Sequence, residues 1–411
     1  EICACLVGSE MCIRDRFKFC IELSSNDWEQ RKFADFTWDA GKRNKEDLDL
    51  EPYAITNEHG FIRQRDAHDD FGYMKDTDRK AYNIVQPNSF AYNPARINVG
   101  SIGYYKGVEN VIVSSLYEVF QTDNYVNDRF LWHWLKSDEF PRWIEKLQEG
   151  SVRLYFYYDK LCECQLYMPS LEEQEKIATF LDDLDHLITL HQRKCEETKT
   201  LKKYMLQKMF PQNGHSVPEI RFSGFTEDWE QRKLVDLVDR VTRKNQDLVS
   251  ELPLTISAQY GLIDQNEFFD KRVASKDVSG YYLIENGEFA YNKSTSTDAP
   301  WGAIKRLDRY KNGVLSTLYI VFGIKENNPV DSDFLVSYYS TNLWHKGIHE
   351  IAAEGARNHG LLNIAPADFF ETKLMIPQDI EEQKKIGKYF EELERLITLC
   401  LLYTSDAADD K

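Results

Sequence analysis

The sequence predicts an α/β (α+β) fold: two similar globular domains joined by two long helices that pair as an antiparallel coiled coil, with pseudo-two-fold symmetry. Three observations lead there. The chain is written twice, with a period near 200 residues. Each copy carries short runs rich in Val, Ile, Tyr and Phe bounded by Gly, Asn or Pro, the mark of strands. Each copy then closes on a Pro followed by a stretch with apolar residues at helical spacing.

The repetition is direct. Trp28-Glu-Gln-Arg-Lys32 recurs as Trp229-Glu-Gln-Arg-Lys233, and Gly60-Phe-Ile62 as Gly261-Leu-Ile263. Phe90-Ala-Tyr-Asn93 recurs as Phe289-Ala-Tyr-Asn292, and Ser114-Ser-Leu-Tyr-Glu-Val-Phe120 as Ser316-Thr-Leu-Tyr-Ile-Val-Phe322. Leu171 to Leu190 matches Ile380 to Leu399 with 10 of 20 positions identical. Five landmarks in one order define a duplicated unit, and its period is far too long for a solenoid.

Within each copy, strands are expected at 53–56, 89–92 and 111–120, and at 255–257, 288–291 and 314–322. Helical stretches follow at 128–136 and 333–344. Ser170 with Glu173, and Asp379 with Glu382, read as capping boxes opening the closing helices. The first helix carries Ile177, Phe180, Leu181, Leu184, Leu187 and Ile188, then more thinly Cys195, Thr198, Leu201, Met205 and Met209, until Pro211 stops it. About 40 residues make a rod of about 60 Å. The second carries Ile386, Tyr389, Phe390, Leu393, Leu396 and Ile397. Ile177, Leu181, Leu184, Ile188 and Leu201 are expected to face Ile386, Phe390, Leu393 and Ile397 or a partner. The alternative is that each stripe packs only on its own globular domain.

The expected organisation is a first domain at 17–169, a helix at 170–210, a linker at 211–218, a second domain at 219–377 and a shortened helix at 378–399. Residues 1–16 have no counterpart before the second copy, and 400–411 have no heptad logic. Both stretches resemble translated sequencing-adapter read-through and are expected to be non-native.

Composition narrows the classes. The 411 residues carry a net charge of −17, with 42% hydrophobic and 13% aromatic residues, so the chain has material for real cores. The acidic balance argues against a histone-like coat, though not against local basic patches. No run approaches the roughly 20 apolar residues of a membrane span, and Glu10, Arg14 and Asp15 interrupt any signal-peptide pattern. Cys162-x-Cys164 lacks zinc-site spacing, and reduced thiols in a cytoplasmic protein are expected.

Catalytic patterns are missing. No P-loop or Gly-rich dinucleotide fingerprint occurs, and the nine His residues show no HExxH spacing. Asn93-Pro-Ala-Arg96 starts like an amino-methyltransferase motif but lacks its second Pro and aromatic, and reads better as a strand-end turn. A binding or scaffolding chain is favoured, with no catalytic residue and no metal ligand.

The repeat resembles the specificity subunit of type I restriction–modification systems. The residues that carry the resemblance are Val217-Pro-Glu-Ile-Arg-Phe-Ser-Gly-Phe-Thr-Glu-Asp-Trp-Glu-Gln-Arg-Lys-Leu234, Phe289-Ala-Tyr-Asn-Lys-Ser294, Gly355-Ala-Arg-Asn-His-Gly-Leu-Leu-Asn-Ile364, and Pro377 with Ile380-Glu-Glu-Gln-Lys-Lys-Ile386. Pro169 with Leu171-Glu-Glu-Gln-Glu-Lys-Ile177 repeats the last, and the similarity covers about 17–399. The resemblance implies two target-recognition domains, each reading one half of an asymmetric bipartite site in double-stranded DNA. The helices would set the spacer and dock two methyltransferase (M) subunits, with restriction (R) subunits joining through the complex. S-adenosylmethionine, ATP and Mg would be bound by partner subunits, and none by this chain.

DNA contact needs Lys or Arg for phosphates and Arg, Asn, Gln or Ser/Thr for base edges. In the second copy, Lys293 and Ser294 follow a strand, with Lys305 and Arg306 soon after. Lys271 and Arg272 also qualify, as do Arg357, Asn358 and His359 between two glycines. In the first copy Arg63, Arg65, Arg96 and Arg153 are the analogues. Trp28 and Trp229 are read as packing residues rather than base-stacking ones. The acids Asp182, Asp183, Asp185, Glu391, Glu392 and Glu394 form either a solvated face or one that meets a basic M subunit. Two rival readings remain: the recognition half of a fused methyltransferase–nuclease, which needs catalytic motifs outside 17–399, and a silent, phase-variable cassette.

Overall fold

The computed structural model describes residues 28–67, 79–150, 154–212, 214–257, 260–271, 273–296, 299–326, 330–352 and 362–402. The chain divides into two compact units, the first running to His191 and the second from Gln192 to Leu402. The division falls inside the first long helix, upstream of the expected linker.

The first unit opens with β1 (Glu29–Lys32), β2 (Thr37–Asp39), β3 (Lys42–Arg43), β4 (Pro52–Thr56), β5 (Gly60–Arg63) and the helical turn α1 (Gln64–Ala67). It continues with β6 (Asn83–Val85), β7 (Phe90–Tyr92), β8 (Ile102–Tyr104), β9 (Val111–Val113) and β10 (Glu118–Thr122). Helices α2 (Asp128–Leu135), α3 (Glu139–Leu147) and α4 (Tyr158–Leu161) lead to β11 (Gln165–Met168) and the long α5 (Leu171–Lys208). Three sheets form, in the orders β1-β11, β2-β10-β7-β8 and β3-β6-β9-β4-β5.

The second unit repeats this plan. It carries β12 (Glu230–Lys233), α6 (Leu234–Leu237), β13 (Val238–Val241), β14 (Leu254–Ser257), β15 (Gly261–Asp264) and α7 (Gln265–Phe269). Then come β16 (Tyr282–Glu285), β17 (Phe289–Asn292), β18 (Ala303–Arg306), β19 (Asn312–Leu315) and β20 (Ile320–Ile324). Helices α8 (Ser332–Tyr339), α9 (Leu343–Ile351) and α10 (Pro366–Phe370) precede β21 (Lys373–Ile376) and α11 (Ile380–Leu402). The orders β12-β21 and β13-β20-β17-β18 match the first unit. Bridges from Lys244 to Tyr282 and from Pro253 to Val314 tie β16-β19 and β14-β15 into the counterpart of the five-stranded sheet.

The duplicated residues make duplicated cores. Phe90 stacks on Phe120 at 5.0 Å between ring centroids, and Phe289 stacks on Phe322 at 5.4 Å. Trp28 meets Phe130 edge-on, as Trp229 meets Phe334; both indoles are buried, so packing is their role. Two expected strands are each broken in two. Backbone turns from Ser114 to Tyr117 and from Ser316 to Tyr319 interrupt 111–120 and 314–322. The expected helix at 333–344 is also divided, because the Thr341 hydroxyl accepts the Leu343 amide and starts α9 afresh.

Each long helix is anchored to its own unit at its first turns. Ile177, Leu181 and Leu184 pack against the first core, while Ile386, Phe390 and Leu393 enter the second. Past Gln192 the helices pair with each other. Cys195 clusters with Ile397 and Cys400, Lys202 pairs with Glu394, and Phe210 lies 6.0 Å from Phe390. As one chain number rises the other falls, so the pair is antiparallel. Leu201 lies outside this seam, 45% exposed, since Lys202 occupies the seam position one heptad after Cys195. Helix α11 runs three residues past the expected end at Leu399, with Cys400 buried. Among the described residues, no helix is long and apolar enough to cross a membrane.

Candidate nucleic-acid interface

Among the described candidates of the first unit, Arg63, Arg65 and Arg96 are exposed. Arg63 ends β5, and its Nε donates to the Tyr53 hydroxyl at 3.5 Å; this contact holds its pKa above the ordinary guanidinium value. Arg65, in α1, pairs with Glu51 at 3.6 Å. The β4-β5 hairpin therefore brings Arg63 and Arg65 to one edge. Arg96 lies apart, exposed in the turn after β7, where the Asn93 side chain accepts the Ala95 amide. That turn is the strand-end reading of Asn93-Pro-Ala-Arg96.

In the second unit the same turn recurs, with Asn292 accepting the Ser294 amide at 3.0 Å. Lys293 follows β17 half-buried, its ammonium donating to the Ile364 carbonyl at 3.4 Å; burial pushes its pKa down. Ser294 is exposed, as is Lys271 after α7. Arg306 and Lys305 alternate along β18. Arg306 is already engaged, bonding Asp308 at 2.6 Å and Asp333 at 2.7 Å, with Ser332 as a further acceptor. Its geometry is that of a brace between β18 and α8.

Lys305 faces a cleft of the second unit, about 1010 Å³. Burial, then the neighbouring Lys202 ammonium, pushes its pKa down, and Glu394 opposes this. Lys199, Lys202, Lys203 and Lys208 of α5 line the same cleft. Those helix lysines were missed as site residues. The signal was present: 199, 202 and 203 share one helical face, and the second half of α5 is basic. Arg153, Arg272, Arg357, Asn358 and His359 lie outside the described residues. Among the described residues, no group of three His, Cys, Asp or Glu is placed to hold a metal ion.

Comparison with known proteins agrees with this architecture. Residues 26–200 match the type I restriction modification DNA specificity domain. The chain is 27% identical over 223 residues to the type I restriction enzyme MjaVIII specificity subunit of Methanocaldococcus jannaschii, covering 52% of this chain and 49% of that one. The match thus spans about half the length of that relative. It is 24% identical over 398 residues to the MjaX specificity subunit of the same organism, covering 91% and 88%. Its fold is similar to the S subunit of a type I restriction–modification system from M. genitalium, with a TM-score of 0.53 at 13% identity, covering 94% and 95%. Residues 26–200 are thus similar to a type I restriction modification DNA specificity domain, and the chain over most of its length is similar to a specificity subunit.

Proposed function

We propose that this chain is the DNA-recognition subunit of a type I restriction–modification complex. Each unit reads one half of a bipartite site, and the helices set the spacing between halves and dock the methyltransferase subunits. The chain supplies address rather than chemistry. Two methyltransferase subunits carry S-adenosylmethionine, and restriction subunits with ATP and Mg act through the assembled complex in the cytoplasm.

One observation carries the reading: the same strand orders occur twice on unlike surfaces. At matching places in the sheet, β8 pairs Gly103 with Ala91 where β18 pairs Lys305 with Ala290. Pro94 stands after the first Asn and Lys293 after the second. Equal frames with unequal side chains call for two unequal half-sites.

The test is selection of DNA from a random duplex library by the chain assembled with its methyltransferase subunits. The expected motif has two different specified blocks separated by a fixed unspecified gap. A single continuous motif, or none, contradicts the reading. Arg357→Ala in the same assembly should weaken methylation while leaving subunit binding intact.

A further inference from the structure

The long helix α5 is electrically divided. Residues 171–190 hold six acids and one lysine, whereas 191–208 hold six Lys or Arg and two acids. The basic half borders the cleft that also receives Lys305 from β18. Five lysines and two glutamates, Glu219 and Glu394, line that cleft. In a chain of net charge −17, this concentration of positive charge is local and sided.

The pairing within the cleft leaves a surplus. Lys202 is matched by Glu394 and Lys208 by Glu219, and Lys199 bonds Glu196 at 2.7 Å. Lys203 is exposed and Lys305 half-buried, and neither makes an ion pair among the described residues. A half-buried ammonium beside another ammonium is costly unless an anion meets it. The first unit has Gly103 in the matching strand position, so this feature belongs to the second unit alone.

We propose that this cleft seats the DNA phosphate backbone, with Lys203 and Lys305 as its free phosphate contacts. The inference rests on the DNA-recognition reading and adds to it: the spacer helix touches DNA directly and does so on one side only. An extended polyanion fits better than a small anion, since the lysines are spread along about three turns of helix beside an open groove. Such contacts carry no sequence information; they hold the second unit in register on the duplex.

The test measures binding of the full chain to fluorescent duplexes, one of the selected target sequence and one unrelated, from low to moderate salt. Lys203→Gln, Lys305→Gln and the double variant are compared with wild type. Each released phosphate contact should lower the slope of log affinity against log salt by about 0.9, and lower affinity about fivefold at 0.15 M salt, on both duplexes alike. Lys203 is exposed, so its variant reports even if Lys305→Gln disturbs folding. Unchanged slopes with selective wild-type binding overturn the inference and leave the recognition reading standing. Wild-type binding with no preference between duplexes removes the recognition reading itself. Unchanged slopes with lost methyltransferase-subunit binding assign the cleft to a protein surface and also overturn the inference.

Discussion

Gln383, in the first turn of α11, accepts a hydrogen bond from the Asp331 backbone amide at 2.8 Å. Its own amide donates to the Pro377 carbonyl at 2.9 Å, and the side chain is fully buried. Gln174 does the same in the first unit, accepting the Asn127 amide at 2.8 Å and donating to the Pro169 carbonyl at 2.9 Å. One glutamine thus locks each long helix to the N-cap of an earlier helix in its unit, α2 for Gln174 and α8 for Gln383. Gln383→Leu should cost about 1–3 kcal/mol, because it leaves a buried amide and carbonyl unmet. Urea unfolding of the full chain measures this, and Gln174→Leu should cost a similar amount.

Gly387 tests how closely α11 approaches α8. A Cβ there would lie 2.7 Å from the Asp333 Cβ and from the Phe334 backbone nitrogen. Alanine normally favours a helix over glycine by about 1 kcal/mol. Here Gly387→Ala should destabilise instead, lowering the melting temperature of the second unit. The reverse change at the matching Ala178, buried in the first core, should destabilise by the ordinary propensity and cavity terms.

The two tryptophans share packing but differ in hydrogen bonding. Trp28 Nε1 donates to Glu173 at 3.2 Å. The matching Glu382 is instead gripped by Arg221 through two nitrogens, at 2.6 and 2.8 Å. Trp229 Nε1 is buried with no acceptor among the described residues. Trp28→Phe should therefore cost about 0.5–1.5 kcal/mol more than Trp229→Phe, the value of one net hydrogen bond. Arg221→Ala should be severe, about 3–5 kcal/mol, since Glu382 is left buried and unpaired. Chemical denaturation of the three variants orders them.

Lys305 and Arg306, adjacent on β18, should separate cleanly. Arg306→Ala breaks the pairs with Asp308 and Asp333 and should lower stability while leaving the salt slope of DNA binding unchanged. Lys305→Gln should do the opposite. Because the Lys305 pKa is depressed by burial, its charge is present at low pH and lost as pH rises through that depressed value. The phosphate contact should fade there, before ordinary lysines near 10.4 deprotonate. Lys305→Arg should retain affinity across that range, and anisotropy titrations at increasing pH read the difference.

Periodicity and repetition made the frame legible: paired aromatic strands, helix starts and the doubled plan follow from residue spacing. What escaped was decided by partners distant in sequence. Leu201 looked like a seam residue because the stripe reaches it, but Lys202 takes the seam by pairing with Glu394, 192 residues away. Arg306 looked free for DNA because Asp333 lies beyond two strands, β19 and β20. The strand breaks at Ser114 and Ser316 follow from turns that an apolar run conceals. The lysine cleft was half visible, as a basic helix half, but its completion by Lys305 depends on how β18 sits beside α5.

The central claim is that this chain addresses two unlike half-sites. Methylation mapping of DNA from cells carrying the chain with its methyltransferase subunits tests it most directly. The account predicts methylated adenines in a split, asymmetric motif that disappears when the chain is deleted, with one half altered when residues 219–377 are exchanged for those of a relative. A continuous or palindromic motif, or methylation that persists without the chain, would contradict it.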